Sequence, residues 1–515
     1  MATRSKKKLT DYLELAALLI TLVAFAGITA AGFLMTCEVE IDWASENIER
    51  VLFLSDNVAV NLIVYAVALC LTGLLLRADV KKGTLWIVIS GMAFTTLIAG
   101  LWWVKNAHAL PDADSDTLTE LARQVTAGDW ADIAPSYYLR TFPFQMGYLM
   151  FLEGFSRAFG VENILRVQEL NVVFLTLSNL ALVRTSHLLF QNRKVTLLTA
   201  LLLLLFIQPI FLTTFVYGNI PGMFFSFLAI LLFIEAQRGR KLCYIGMCVS
   251  MALAVTLKMN YSIIMIALAI VLFLSALRNR KALPAIAAAA MVVLTLFVSG
   301  LPQKSYERRA GVSFGAGTPQ GAWLVTGFRE SSLCSGWYNG YTTTILLKNG
   351  YDQEATRAAV KADFEERFEI FKSRPRYALA FFGKKLISQW QVPSYQCIWS
   401  SEVGKHSAPL PEAVASIYEG RTGEVLDTYF NHLMQFIYAG FVIGLIALMK
   451  KRNLPALALS LVLLGACLYH LLFEAKAQYV ATYIPLMLPI AAAGLVSLNA
   501  LITAAGEKRA QARKK

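Results

Sequence analysis

The chain has 515 residues, of which 57% are hydrophobic and 16% are charged, whereas a soluble domain carries about 25% charged residues. That excludes an ordinary soluble protein, and apolar runs of about 20 residues exclude a β-barrel, whose strands would alternate. The net charge of +13 does not point to nucleic acid, because the lysines and arginines fall in short clusters between apolar runs, as topology signals do.

In chain order, Lys6-Lys7-Lys8 precedes the first apolar run, and no small-residue cleavage site closes that run, so the first helix reads as uncleaved. Further basic clusters stand at Arg77/Lys81/Lys82, Arg193/Lys194, Arg238/Arg240/Lys241, Arg278/Arg280/Lys281, Lys450/Lys451/Arg452 and in the tail from Lys508 to Lys515. With every cluster inside, an even number of crossings separates each from the next. The predicted spans are 12–36, 58–76, 84–104, 164–190, 195–216, 220–236, 242–257, 261–277, 282–300, 431–449, 454–472 and 479–501. This is an all-α polytopic membrane protein of about 12 transmembrane helices, set in the cell membrane with both termini cytoplasmic.

Three longer pieces fall outside: the loop 37–57, the acid-bearing loop 105–163 and the segment 301–430. Residues 142–160 are apolar but short and open with Pro143; a full crossing there would invert every later cluster. They read as a re-entrant or surface-lying helix. The chain divides into an N-terminal two-helix addition (1–83), a transmembrane core (84–300), a large outer segment (301–430) and C-terminal helices with a basic tail (431–515). No internal repeat of the transporter kind is visible. Cys334 and Cys397 lie in the large outer segment and would pair only if it faced an oxidising space, which the sequence leaves open.

The acids of Pro111-Asp112-Ala113-Asp114-Ser115-Asp116 follow directly on an apolar span. Carboxylates at a membrane surface lose solvation, so they tend to have a partner or a task. Asp114 is a candidate general base; the same pattern is also good helix-capping chemistry. The alternating acids Asp112, Asp114 and Asp116 would also suit a divalent cation. Lys258 ends an apolar span on the outside, where positive charge is disfavoured; it is either a snorkelling lysine or a phosphate holder. Lys476 has the same two readings, with Glu474 a simple surface partner for it in the plainer one. Trp323, Trp337 and Tyr338 read as the outer segment's own small core ahead of a sugar-stacking surface.

The order of these pieces resembles the polytopic GT-C glycosyltransferases, in particular family 39, the protein mannosyltransferase and aminoarabinose transferase-like superfamily. The resemblance covers residues 84–501. It rests on Asp114 with Ala122 and Gly128, on Tyr137-Tyr138 and Pro143 leading the surface helix, and on Arg166 to Asn171. It rests further on Tyr217-Gly218-Asn219, on Lys258 and on Glu474-Ala475 followed by Tyr479 and Pro485. Asn219 departs from the pattern, standing where the family carries an acid.

The resemblance implies a polyprenyl-phosphate-linked sugar as donor and a glycan, lipid or protein hydroxyl as acceptor, with membrane lipids around the enzyme and no nucleic acid. It implies Asp114 as the base of an inverting transfer. Asp116, Arg166, Lys258, Glu474, Lys476 and Tyr479 are the implied substrate-binding residues, the cations holding the leaving phosphate. A transporter or lipid flippase, and a non-catalytic partner of a glycan machine, are the competing classes.

Overall fold

The computed structural model describes residues 2–41, 49–131, 133–161 and 163–512, with side chains from Leu9 onward. The side chains of Lys6-Lys7-Lys8, the tip of the 37–57 loop at 42–48 and the last residues of the basic tail, 513–515, lie outside the described residues.

The fold is an all-α polytopic membrane bundle. Every predicted span is helical, and among the described residues 10 helices are long and apolar enough to cross a membrane. The two exceptions have local causes. The predicted 195–216 span breaks into Arg193–Leu205 and Gln208–Thr214, bent by 47°. Pro209 stands at that restart and lacks the N–H an unbroken helix would use. The 242–257 span is Cys243–Leu257, an apolar helix of only 15 residues. Both irregular helices end at the loop-rich end of the bundle, where a cleft forms.

The 142–160 stretch becomes the helix Met146–Phe159, 14 residues long and too short to cross. It packs against Ala113–Ala127, the helix that starts at the acids, and its Glu153 ties it to the helix Leu301–Ala310. Tyr306 donates to Glu153 at 2.8 Å, and Arg309 reaches it at 2.6 Å.

The sequence reading of 37–57 as a plain loop is corrected. Met35–Ile41 (β1) and Glu49–Ser55 (β2) pair as an antiparallel hairpin, with Cys37 opposite Phe53 and Val39 opposite Val51. The alternation Cys37-Glu-Val39-Glu-Ile41 is the period-2 signal of a half-buried strand. The inward residues Cys37 and Val51 join Leu333, Trp337 and Val392 in one apolar cluster. The hairpin is thereby fixed to the outer segment.

That segment is mostly helical, with Gln353–Ser373 and Pro375–Trp390 its longest members. Trp337 is buried and donates its indole N–H to Ser388 Oγ at 2.8 Å, and Trp323 packs on Phe142 and Phe144. Both are packing residues. All seven cysteines are free, and Cys334 packs in the Cys37 cluster while Cys397 lies in the main core, so the two do not pair.

Candidate functional site

Five chain segments meet at a cleft of about 150 Å³. They are the acidic loop 110–115, the turn 214–219 after the broken helix, Lys258, the pair Trp399-Ser400 and the segment 476–479.

The acidic loop is held from two sides. Leu110 N donates to Lys405 O at 2.8 Å, Ser407 N to His108 O at 2.9 Å, and His406 Nδ1 contacts Ala107 O at 2.8 Å. On the other side, Gln168 donates to Ala109 O at 2.9 Å and to Thr214 O at 3.0 Å, so one buried amide joins the acidic loop to the 214–219 turn. Asn171 adds bonds to Thr213 O and Phe215 O. These contacts hold two non-glycine residues in the left-handed region, His108 at φ 50 and Ala113 at φ 48. Such strain costs about 1–3 kcal/mol per residue and persists where the surroundings fix it.

Asp114 sits exposed at the rim, in the first turn of the helix Ala113–Ala127. The buried Tyr217 donates its hydroxyl to Asp114 Oδ2 at 3.2 Å and accepts from Gln145. The half-buried Lys258 lies over the Tyr217 ring, with Nζ 3.9 Å from the centroid. Tyr217 therefore touches both the candidate base and the candidate cation. Lys258 forms no ion pair among the described residues. Desolvation pushes its ammonium down to about 8, and the charges of Asp114 and Glu474 oppose that shift.

Two glycines set the Lys258 turn. A Cβ on Gly218 would lie 2.0 Å from Leu257 O, and one on Gly147 would lie 1.8 Å from Thr256 O. Only glycine lets the surface helix and the 214–219 turn close on the end of Cys243–Leu257.

The opposite wall is organised differently. Lys476 forms an ion pair with Glu49 from strand β2, and its Nζ lies 3.8 Å from the Trp399 ring centroid. Gln396 donates to Glu49 Oε2 at 3.2 Å, completing the carboxylate's partners. The simple pairing of Glu474 with Lys476 is not what the structure has. Glu474 is buried and accepts from Tyr479 at 2.6 Å. Burial raises the Glu474 carboxyl, against the Tyr479 hydrogen bond and the Lys476 charge; burial likewise pushes the Tyr479 hydroxyl well up. Behind them, Lys385 donates to Gly327 O and Phe473 O, each at 2.7 Å, and so fixes the backbone leading into Glu474.

Of the residues singled out from sequence, Asp114, Lys258, Lys476 and Tyr479 line one cleft, and Glu474 stands behind it through Tyr479. Asp116 is exposed on the same helix turn but does not line the cleft. Arg166 is not brought in: it is exposed and pairs with Glu169 at 2.7 Å. Asp112 caps the helix, its N–H donating to Ser115 Oγ at 3.1 Å. Among the described residues no three His, Cys, Asp or Glu side chains gather as metal ligands. Glu49, Tyr217, Trp399 and Gln478 were not singled out as site residues. Tyr217 sat in a noted turn, whereas Glu49 carried no local signal.

The chain is thus a polytopic membrane protein with a charged cleft at one end of its helices. No family model matches it, family 39 included, and no curated protein matches it. Two solved structures are similar in backbone. One is the oligosaccharyltransferase of Archaeoglobus fulgidus tethered to an acceptor peptide, at 13% identity and TM-score 0.42, covering 80% of this chain and 49% of that one. The other is ArnT from Cupriavidus metallidurans bound to undecaprenyl phosphate, at 11% identity and TM-score 0.33, covering 81% of this chain and 78% of that one. This chain spans about half the length of the first.

Proposed function

We propose that this protein is a GT-C-type membrane glycosyltransferase acting on the outer face of the membrane. It moves a sugar from a polyprenyl-phosphate donor to a hydroxyl of a glycan, lipid or protein acceptor. The observation that carries the reading is the Asp114–Tyr217–Lys258 arrangement, a rim carboxylate and an ammonium without a carboxylate partner among the described residues, touching opposite parts of one tyrosine. A half-buried cation without an anion favours binding one, and a phosphate supplies it.

The acceptor oxygen attacks the anomeric carbon from the Asp114 side. The bond from that carbon to the phosphate oxygen breaks, polyprenyl phosphate leaves as an anion, and Asp114 takes the hydroxyl proton. The configuration inverts. The leaving phosphate is already a stable anion, so a cation beside it replaces a general acid. Lys258 is that cation; Lys476, already paired with Glu49, contributes less charge. Tyr217 orients Asp114, and the Tyr479–Glu474 pair supports the wall opposite.

The test is mass spectrometry of surface glycans and glycolipids in cells carrying wild type, a deletion, or Asp114→Asn at matched protein level. The same sugar should vanish in the deletion and in Asp114→Asn, since loss of a general base costs about 10²–10⁴-fold in rate. A wild-type glycan profile in Asp114→Asn, with the deletion defective, would remove Asp114 as base and put transport ahead.

A further inference from the structure

A second charged feature lies away from the cleft, where the surface helix Met146–Phe159 packs on Leu301–Ala310. The span Ala282–Ala310 runs 29 residues, about 43 Å at the helical rise and longer than the roughly 30 Å of hydrocarbon. Its exposed stripe includes Val293, Leu296, Phe297 and Leu301, and the same stripe continues into Lys304 and Arg308. Steps of three and four residues keep these positions on one side of the helix. The apolar members face lipid, so the two cations stand at headgroup level. That is the end of the helix opposite the Arg278/Arg280/Lys281 cluster. Among the described residues neither the Lys304 nor the Arg308 side chain has an ion-pair or hydrogen-bond partner.

Two more cations stand beside them. Arg157 and Arg309 converge on the buried Glu153, reaching its Oε1 at 2.8 Å and 2.6 Å. Glu307 is occupied by Gln303, Ser313 and the Phe314 N–H. Among the described residues, four cations at this seam thus meet two carboxylates that are already engaged. The exposed Phe159 packs on Phe155 at the same end of the surface helix, with ring centroids 4.7 Å apart. Snorkelling explains why a lone lysine sits at headgroup level, but not a surplus of charge gathered over an apolar edge. A soluble anion would use the charge and leave the apolar edge uncovered. An anionic phospholipid uses both: its phosphate meets the cations, and its acyl chains lie against Phe159, Phe297 and Leu301.

We infer that the seam between Met146–Phe159 and Leu301–Ala310 binds the headgroup of an anionic phospholipid, and that this lipid steadies the Asp114 site. The connection is short. Gln145, just before the surface helix, donates to Tyr217, and Tyr217 donates to Asp114. The surface helix also packs against Ala113–Ala127, the helix that begins at Asp114's loop. A headgroup bridging the two sides of the seam restrains the surface helix and, through it, both contacts. The inference does not depend on the identity of sugar, donor or acceptor.

The full-length protein is placed in phosphatidylcholine nanodiscs with and without phosphatidylglycerol. Native mass spectrometry counts the lipids it keeps, and hydrogen exchange follows the amides of 113–127 and 146–159. Wild type should retain phosphatidylglycerol over phosphatidylcholine. Lys304→Gln/Arg308→Gln should cut that preference about fivefold for each cation removed. Phosphatidylglycerol should slow exchange in both helices of the wild type and in neither helix of this double variant. Lys304→Arg/Arg308→Lys keeps both charges and should behave as wild type, which separates loss of charge from loss of fold. The site is overturned if the neutral variant keeps phosphatidylglycerol as wild type does, or if soluble inorganic phosphate competes it off. It is equally overturned if undecaprenyl phosphate displaces the phospholipid, which would make the seam part of a donor's path. Retention without any change in exchange would break the link to Asp114.

Discussion

The two walls of the cleft solve the same electrostatic problem in opposite ways. On one wall Lys258 has no carboxylate partner among the described residues and lies over the Tyr217 ring face, and Tyr217 passes the connection to Asp114. On the other, Lys476 is neutralised by Glu49, and its ring neighbour Trp399 completes a closed unit. Both lysines end or follow membrane helices, and both were equal candidates from sequence. The structure separates them by what lies within bonding distance. A paired lysine shapes a wall, whereas an unpaired one still has its charge to give to a ligand.

The largest effect should come from breaking the unpaired side. Lys258→Met should weaken binding of undecaprenyl phosphate by about 100-fold, the loss of a charge-assisted contact in a partly desolvated place. Binding titration in nanodiscs measures it; a change smaller than threefold would equate the two lysines.

The pH dependence sharpens the same contrast. Burial holds Lys258 down to about 8 in the free protein. The ammonium is present below that value and lost above it, so kcat/KM should fall as pH rises through about 8. Bound phosphate favours the charged form, so the fall in kcat lies at higher pH than the fall in kcat/KM. The limb should vanish in Lys258→Met and persist in Lys476→Met. A profile flat to pH 9.5 in the wild type would sink the assignment.

The paired side should respond less, and non-additively. Glu49→Gln or Lys476→Met alone should cost about tenfold in kcat/KM, because each leaves a charge without its partner. The double variant should be no worse than the worse single. Strictly multiplying losses would mean that Glu49 and Lys476 act separately on the substrate.

How far the sequence alone reaches follows the same division. The helix spans were legible because hydrophobic length is a local property, and the break between Leu205 and Gln208 shifted only one of them. Asp114 and Lys258 were legible because each is a charge at the end of an apolar run. The hairpin was written in the alternation of Cys37 to Ile41, but two polar glutamates masked it as a loop. Glu49 was beyond reach. It meets Lys476 across 427 residues of sequence, and nothing local says that a hairpin near the N-terminus closes a cleft built mainly by later segments.

Arg166 marks the boundary between pattern and placement, and it carries the smallest expected effect. Sequence order put it behind the phosphate holders, within about a turn and a half of Asn171. In the structure that turn presents Gln168 and Asn171 to the cleft-forming loops and leaves Arg166 on the outside with Glu169. An exposed pair spaced three residues apart on a helix contributes about 0.2–1 kcal/mol at most. Arg166→Gln should therefore change kcat/KM by less than about twofold and leave the fall near pH 8 in place. Gln168→Leu, two residues on, should do far more, because it releases both Ala109 and Thr214 and with them the register between Asp114 and Tyr217. If Arg166→Gln proved the worse of the two in a transfer assay, a cation would be reaching the donor from the rim, and Lys258 would not be the main phosphate holder.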